Sequence, residues 1–292
     1  MSNTISFLSR IYIPLFLLIL FQCKPVDDSF ISITVDDRRI EIHNSNIQLV
    51  FDELMYSKIY FHQNEKILSI NDNGTLNEES RPSHFIRLDG KIYKNFNIIS
   101  HLTKDINDEQ YGKGKILIIK GLDADIEKSL HVEMYEEFPD IAISWSTYTN
   151  KSNEDLTIDD VYYNYYRLDR KLTKPEAESF DFRYLQPLNK KWGDSWINLG
   201  ITDSTQEDFV IPGSGSNRSG IPFIDVWGEE MGMAVFHVEG KPRFLHVLLD
   251  VKKDHKVDMG LSVKPEDSYG QFPTVLKKDS SITTWKSAVC VH

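Results

Sequence analysis

Residues 130–146 read LHVEMYEEFPDIAISWS, and this stretch indicates the fold class. Apolar side chains alternate with polar or aromatic ones on both sides of the turn signal Glu137-Phe138-Pro139-Asp140. A period of two residues is typical of a half-buried β-strand, and a short turn between two such runs predicts a hairpin. We expect one buried face on each strand, carried by Leu130, Val132 and Met134 before the turn and by Ile141, Ile143 and Trp145 after it.

Period-two segments recur along the chain, whereas long helical patterns are missing from it. They predict strands at 47–53, 57–62, 84–88, 96–103, 115–120, 160–168, 223–227, 233–238, 245–249, 257–263 and 282–291. Turn signals such as Asn73-Gly74, Asp89-Gly90 and Glu239-Gly240 separate these segments. Strands at this density predict an all-β fold, a large antiparallel β-supersandwich formed as one domain by residues 35–292.

The amino-acid composition limits the kinds of partner that this chain is expected to bind. The chain has 292 residues, 40% of them hydrophobic and 26% charged, as in a soluble globular protein. The net charge is −11 and no basic cluster is found, which argues against nucleic acid as a partner because phosphate binding requires concentrated Lys and Arg.

The N-terminus carries an export pattern. Arg10 precedes the apolar run 11–21, which is short for a membrane span, and Cys23 follows directly. The run before a Cys resembles a bacterial lipobox, in which that Cys is lipidated, although Gln22 is not the usual small residue. A lipoprotein, a plain secretory signal and an uncleaved anchor remain open. We expect residues 1–23 to be the signal or lipoprotein segment, 24–34 a linker, and the protein to be exported as a periplasmic or outer-membrane-anchored lipoprotein.

Most familiar catalytic patterns are missing from the sequence. The loop Gly213–Gly220 lacks the Lys and the following helix of a phosphate-binding loop. The nine His are scattered, and we expect neither a metal nor a cofactor. Asp250, Asp254 and Asp258 lack the glycine and terminal Glu of a calcium loop and are interpreted as a solvated hairpin tip. Cys290 is interpreted as a small buried or half-buried residue of a strand.

The loop-rich region 169–222 contains the candidate site. In the run 190–196, KKWGDSW, Trp192 and Trp196 flank Gly193 and Asp194. Indole faces stack on sugar rings and a carboxylate accepts hydrogen bonds from hydroxyls, so Trp192, Asp194 and Trp196 are candidate sugar or interface contacts. The alternative is that both Trp residues close the edge of the sandwich.

The same region carries a family resemblance. Residues 184–188 (YLQPL), 192–194 (WGD), 213–223 (GSGSNRSGIPF), 225–228 (DVWG) and 230–235 (EMGMAV) form an ordered pattern. The pattern resembles the N-terminal β-sandwich region of bacterial α-galactosidases of the melibiase type, close to glycoside hydrolase family 36, over residues 35–292. The resemblance implies a galactose-mutarotase-like sandwich that precedes a (β/α)8 barrel, in which one Asp is the nucleophile and another the acid/base.

This sequence stops at about the point where the chain of that family enters its barrel. The barrel is therefore expected to be absent from this chain, so no catalytic residue is assigned and enzymatic activity stays uncertain. We expect a non-catalytic domain of an exported α-galactosidase-like hydrolase that supports the barrel and borders the substrate entrance, with Arg218 holding the glycine-rich loop. Its expected partners are an α-galactoside or another carbohydrate, the barrel, and a second copy in a homo-oligomer. A free-standing carbohydrate-binding lipoprotein and a mutarotase-like enzyme remain alternatives; the latter needs His and Glu on one concave sheet.

Overall fold

Where apolar and polar residues alternate, the chain forms β-strands, and these make up most of the described residues. The computed structural model describes residues 31–36, 39–63, 66–69, 82–169, 183–185, 199–200, 206–211, 223–227, 231–238, 245–252, 256–268 and 270–292. Within these ranges the chain forms 22 strands and one short 3-10 turn, Pro265–Ser268. No described helix is long and apolar enough to cross a membrane.

The strands are, in chain order, β1 Ser32–Asp36, β2 Arg39–His43, β3 Ile47–Asp52, β4 Ser57–Gln63, β5 Lys66–Ser69, β6 Phe85–Leu88, β7 Lys91–Tyr93, β8 Asn97–Asp108, β9 Gly112–Asp123, β10 Ile126–Tyr135 and β11 Ile141–Asn150. They continue with β12 Leu156–Asp169, β13 Arg183–Leu185, β14 Leu199–Gly200, β15 Gln206–Ile211, β16 Phe223–Trp227, β17 Gly232–His237, β18 Leu245–Lys252, β19 Lys256–Val263, β20 Val275–Leu276, β21 Ser281–Thr283 and β22 Ser287–Val291. The first strand begins at Ser32, inside the segment 24–34 that the sequence predicts as a linker.

Three antiparallel sheets result. Five strands follow the order β1-β2-β3-β4-β5. A ten-stranded sheet has the order β14-β13-β16-β17-β22-β11-β10-β9-β8, with β21 also on β11, and a seven-stranded sheet has the order β15-β18-β19-β12-β6-β7, with β20 on β12. The predicted all-β, antiparallel supersandwich is therefore confirmed.

One continuous hydrophobic core joins the three sheets. Ile42 and Ile59 of the five-stranded sheet, Leu130 of the ten-stranded sheet and Leu261 of the seven-stranded sheet are all fully buried in the same cluster. Burial of such a side chain contributes about 1.5–3 kcal/mol, so the facing apolar surfaces hold the layers together.

The hairpin that indicated the fold is β10–β11. Leu130, Val132, Met134 and Ile143 are buried as predicted, but the face of β11 that meets the main core is the opposite of the predicted one. Leu130 pairs with Ser146 and Val132 with Ser144, so the core face of β11 carries small polar residues. Ser144 and Ser146 are buried, whereas Trp145 lies half-buried on the opposite face. The predicted core residues Ile141 and Ile143 pack on that opposite face too, with Tyr135 and Ala288.

A polar connection between the sheets explains why serine occupies the core face of β11. Asn164 of β12 accepts a hydrogen bond from the Ser144 hydroxyl at 3.0 Å and another from the Tyr166 hydroxyl at 3.0 Å. Its amide nitrogen donates to Ser287 Oγ of β22 at 2.8 Å. Buried polar groups are stable only when they are hydrogen-bonded, so Ser144 and Ser287 satisfy Asn164, which an isoleucine at either position would leave short of a partner.

Asn164 lies in a bulge of β12. The register on β19 shifts between Tyr163 and Tyr166, and Asn164 has φ = 45°, in the left-handed region that Asn tolerates better than most residues. Gly260 of β19 lies against this bulge, where a Cβ atom would come within 2.5 Å of Tyr165 Cα and 2.7 Å of the Asn164 carbonyl oxygen. The bulge therefore requires glycine at position 260.

A lysine is also buried in the core. Lys128 of β10 has no exposed surface, and its Nζ donates to the His84 carbonyl oxygen at 2.8 Å. The Phe96 ring centroid lies 5.0 Å from the same nitrogen. Burial lowers the pKa of Lys128 from its usual 10.5 to about 7, with Asp52 acting in the opposite direction.

Asp258 is a second correction to the sequence analysis. It was interpreted as part of a solvated hairpin tip, but its side chain is 1% exposed and accepts two hydrogen bonds from Arg167, at 2.6 and 2.9 Å. The paired geometry explains how a carboxylate is tolerated at this depth.

The edge strand β8 contrasts with these interior strands. Nearly all of its twelve residues are exposed, including Ile99 at 56% and Leu102 at 47%. Among the described residues β8 pairs with β9 alone.

Candidate functional site

The site residues predicted from the sequence lie outside the described residues. These are Trp192, Asp194, Trp196, Arg218 and the lipidation candidate Cys23. Their assignments therefore stay predictions, as does the role of the loop Gly213–Gly220.

The described chain has a separate cluster of polar side chains on the ten-stranded sheet. We call the side of β8–β11 that points away from the core the outer face. Ser129 of β10 stands opposite Lys120 of β9 and Thr147 of β11, and Lys120 stands opposite Ser100 of β8. Side chains directly opposite across antiparallel strands lie on one face, about 4.5–5.5 Å apart at Cβ. A row of hydroxyl groups interrupted by one lysine therefore crosses the outer face.

A second row runs parallel to the first. Leu102, Ile118, His131 and Trp145 occupy successive strands β8 to β11 in one line. The His131 and Trp145 rings are stacked, with centroids 4.7 Å apart and planes 9° from parallel. This row supplies apolar and aromatic surface beside the hydroxyls.

Trp145 is enclosed on both ring faces. Lys286 Nζ lies 4.1 Å from the indole centroid, and Lys286 follows β21 on the side of β11 opposite to β10, which carries His131. The same ammonium donates to Glu133 Oε2 at 3.0 Å, so its charge is balanced. Trp145 is therefore a support for His131 rather than an open stacking platform.

The two rows form the wall of a shallow cavity of about 380 Å³. Its lining residues are Ser100, His101, Leu102, Ile118, Lys120, Ser129, His131 and Thr147. This size lies at the low end of small-molecule sites, and the mixture of hydroxyl, cationic and apolar groups is suited to hydrogen bonding and shape recognition.

The electrostatics of the cavity favour a neutral imidazole. Partial burial, and the positive charges of Lys286 and Lys120, lower the pKa of His131. A neutral imidazole has one N–H donor and one acceptor nitrogen, so His131 can take part in two hydrogen bonds at neutral pH.

A mutarotase-like enzyme needs His and Glu on one sheet face, and His131 and Glu133 do share the outer face. However, Glu133 is 8% exposed and its Oε2 accepts hydrogen bonds from both Lys286 and the Tyr135 hydroxyl, the latter at 3.2 Å. A buried carboxylate that is already paired serves the structure of the face rather than proton transfer.

The other groups of the described chain that could react or bind a metal are a cysteine and the possible metal ligands. Cys290 of β22 is half-buried, as predicted, and burial raises the pKa of its thiol to about 11, which leaves little of the reactive thiolate at neutral pH. Within the described ranges, no group of three His, Cys, Asp or Glu residues is placed to hold a metal ion.

The outer-face site was missed by the sequence analysis because the faces of β11 were assigned in reverse. With Trp145 placed in the core, the row from Leu102 to Trp145 does not form. No local signal indicated the true face, because Ser144 and Ser146 are more polar than Ile143 and Trp145, and their pairing opposite Val132 and Leu130 appears only in the structure.

Comparison with known proteins identifies the fold. No family model matches the chain, and no curated protein matches its sequence. The structure is similar to a GH36 α-galactosidase from Geobacillus stearothermophilus, with a TM-score of 0.58 and 13% identity over 87% of this chain and 40% of that one. An α-N-acetylgalactosaminidase from Bifidobacterium bifidum gives a TM-score of 0.50 at 10% identity, over 86% of this chain and 35% of that one.

Identities this low show the fold alone. The chain spans about 40% of the length of the α-galactosidase that it matches. The described residues therefore share the β-sandwich fold of the N-terminal region of a GH36 α-galactosidase.

Proposed function

We propose that this chain is the non-catalytic β-sandwich module of an exported α-galactosidase-like glycoside hydrolase, in which it supports the catalytic domain and contacts carbohydrate. The observation that carries the proposal is the extent of the fold likeness, which takes in 87% of this chain but 40% of the α-galactosidase. A module that matches less than half of an enzyme is expected to perform part of its task.

The outer face supports the carbohydrate contact. Sugars are recognised by hydroxyl and amide hydrogen bonds together with apolar contacts to their C–H surfaces. The cavity offers both, in the row from Ser100 to Thr147 and in the row from Leu102 to His131.

Two of the described carboxylates are held in structural contacts. Retaining hydrolysis requires two carboxyl groups about 5–5.5 Å apart, one of them free to attack the sugar. On the outer face Glu133 is fixed by Lys286 and Tyr135, and in the interior Asp258 is fixed by Arg167. Neither carboxylate is available as a nucleophile.

Activity of the purified chain tests the non-catalytic role. Incubated with an aryl α-galactoside at high protein concentration, the chain should release no more aryl alcohol than a heat-inactivated sample. Turnover above that background which is retained through a second purification would overturn the proposal.

A free-standing carbohydrate-binding lipoprotein is the second candidate, favoured by the presence of the cavity within this chain itself. Reading the coding sequence beyond the His292 codon separates the two functions. A continuing frame that encodes a (β/α)8 barrel supports the module, and a stop codon supports the free-standing protein.

Export and lipidation are part of the proposal and rest on the N-terminal sequence. Cells grown with labelled palmitate should incorporate it into the wild-type protein and not into Cys23→Ser. An unprocessed N-terminus on protein recovered from the cytoplasm would contradict export.

The loop residues Trp192, Asp194, Trp196 and Arg218 are proposed to border the substrate entrance or a subunit interface. In the complete enzyme, Trp192→Ala and Trp196→Ala should lower kcat/KM or weaken association while leaving the unfolding midpoint nearly unchanged. A large fall in the unfolding midpoint with unchanged kinetics would assign both residues to packing.

A further inference from the structure

Most hydrogen-bonding groups of the outer-face cavity have capacity left for a ligand within the described structure. Ser100, Ser129 and Lys120 make no side-chain hydrogen bond or ion pair with another described residue. Thr147 shares a 2.9 Å hydrogen bond with Thr283, which leaves its hydroxyl with further capacity. Three hydroxyls and one ammonium therefore face the same small volume with donors and acceptors to offer.

The cavity is locally cationic in an acidic protein. The chain has a net charge of −11, so its general field repels anions. Two lysines nevertheless lie close to the cavity: Lys120 lines it, and Lys286 Nζ lies 4.1 Å from the indole centroid of Trp145, which stacks on His131. The charge of Lys286 is balanced by Glu133 at 3.0 Å, whereas Lys120 is exposed and has no described carboxylate within 4 Å. Lys120 is thus the group that would attract and fix a negative charge.

The apolar part of the cavity lies beside this lysine. Leu102 is 47% exposed, and Ile118 and the His131 ring continue the strip inward. Since Trp145 is covered on both faces, the contact surface for a ligand is the aliphatic strip and the imidazole. The ring of a pyranose, apolar on one side and rimmed by hydroxyls, matches a strip of this kind next to a row of serine and threonine.

We propose that the outer-face cavity binds an acidic sugar, with the carboxylate at Lys120 Nζ, the hydroxyls at Ser129 and Thr147, and the ring against Leu102 and Ile118. The inference rests on the carbohydrate contact in the proposed function and goes beyond it by naming the ligand class, a uronic acid rather than a neutral galactoside. His131 completes the site as a neutral donor and acceptor.

The test compares three probes on the full chain by ligand-observed NMR titration at low salt. D-galacturonate carries both the carboxylate and the hydroxyls, D-galactose lacks the charge, and acetate lacks the sugar. We expect galacturonate to bind about tenfold more tightly than either of the others, because a hydrogen bond to a charged group adds to the sugar contacts. The difference should decrease as salt is added, since Lys120 is exposed.

Two lysine variants locate the charge. Lys120→Gln should reduce galacturonate binding to the level of galactose. Lys113→Gln is the matched control, because Lys113 is exposed on the same strand β9 but does not line the cavity, and it should leave binding unchanged. Equal losses in the two variants would show a general effect of net charge and overturn the site.

The remaining outcomes separate this inference from the proposed function. Equal affinities for galacturonate and galactose would refute the acidic-sugar preference while the carbohydrate contact stands. If acetate binds as tightly as galacturonate, the cavity is an anion site, and the proposal that it recognises the sugar ring is refuted. No binding of either sugar at about 50 mM, well above a Kd of about 1 mM, would refute the carbohydrate contact itself.

Discussion

Replacement of Lys128 by Met should make the stability of this protein less dependent on pH. The Lys128 ammonium is fully buried, with one hydrogen bond to the His84 carbonyl oxygen and an aromatic ring nearby. Its pKa falls from 10.5 to about 7 on folding. Between those values the unfolded chain binds more protons than the folded one, so the free energy of unfolding increases with pH over this window.

The size of the effect follows from the two pKa values. Each pKa unit corresponds to about 1.4 kcal/mol, and the interval from pH 6.5 to 9.5 includes most of the window, so the wild type should gain ~3 kcal/mol of stability over that interval. Lys128→Met fills a similar volume without a titrating group and should gain none from this source. Other titrating groups, such as the buried His84, contribute to both proteins.

The assay is urea unfolding of both proteins at intervals of half a pH unit, and the quantity compared is the difference between their free energies of unfolding. The difference should favour the variant at pH 6.5 and shift toward the wild type by ~3 kcal/mol by pH 9.5. A difference that stays constant within about 0.5 kcal/mol across this range would refute the argument, because it would mean that the lysine keeps an ordinary pKa in the folded state.

Three further changes test the interior. Gly260→Ala should destabilise the protein by about 1–3 kcal/mol or more, measured by chemical denaturation, because its Cβ meets backbone atoms of the bulge; an unchanged midpoint would contradict that contact. Asp258→Asn should cost about 3–5 kcal/mol because it removes the negative charge that faces the buried Arg167 guanidinium, and an effect under about 1 kcal/mol would indicate that the pair is solvated. Trp285 is 6% exposed, so Trp285→Ala should lower the free energy of unfolding by about 3–5 kcal/mol, whereas Trp145→Ala, at a half-buried position, should lower it clearly less. If Trp145→Ala lowers the unfolding midpoint more than Trp285→Ala does, Trp145 is a core residue.

Much of the fold follows from local patterns. The turn at Asp89-Gly90 is an example: both residues have positive φ, at 46° and 76°, as expected for the short turn that joins β6 to β7. Alternation also placed Leu130, Val132 and Met134 correctly in the core. These features depend on neighbours in sequence, which is why a single chain reveals them.

The second strand of the same hairpin shows where local patterns stop. Hydrophobicity ranks Ile143 and Trp145 above Ser144 for the strand face that meets the main core, yet Ser144 lies on that face because Asn164, which also bonds Ser287, approaches from another strand. Hydrogen bonds between residues far apart in the chain cannot be read from the alternation of apolar and polar residues along one strand. The outer-face site shares this limit, because it depends on a register that brings Lys120, Ser129 and Thr147 into line.

The long edge strand β8 has a consequence for the behaviour of the protein at high concentration. In the described part of the chain one side of β8 is unpaired. A strand that is open along one side is a template for other extended chains, and Ile99 and Leu102 give β8 apolar surface. Lys104, Asp105 and Asp108 interrupt that surface with charges of both signs, which act as gatekeepers against intermolecular stacking. Neutralising these three positions should increase the tendency of the folded protein to aggregate, which light scattering at increasing protein concentration would measure.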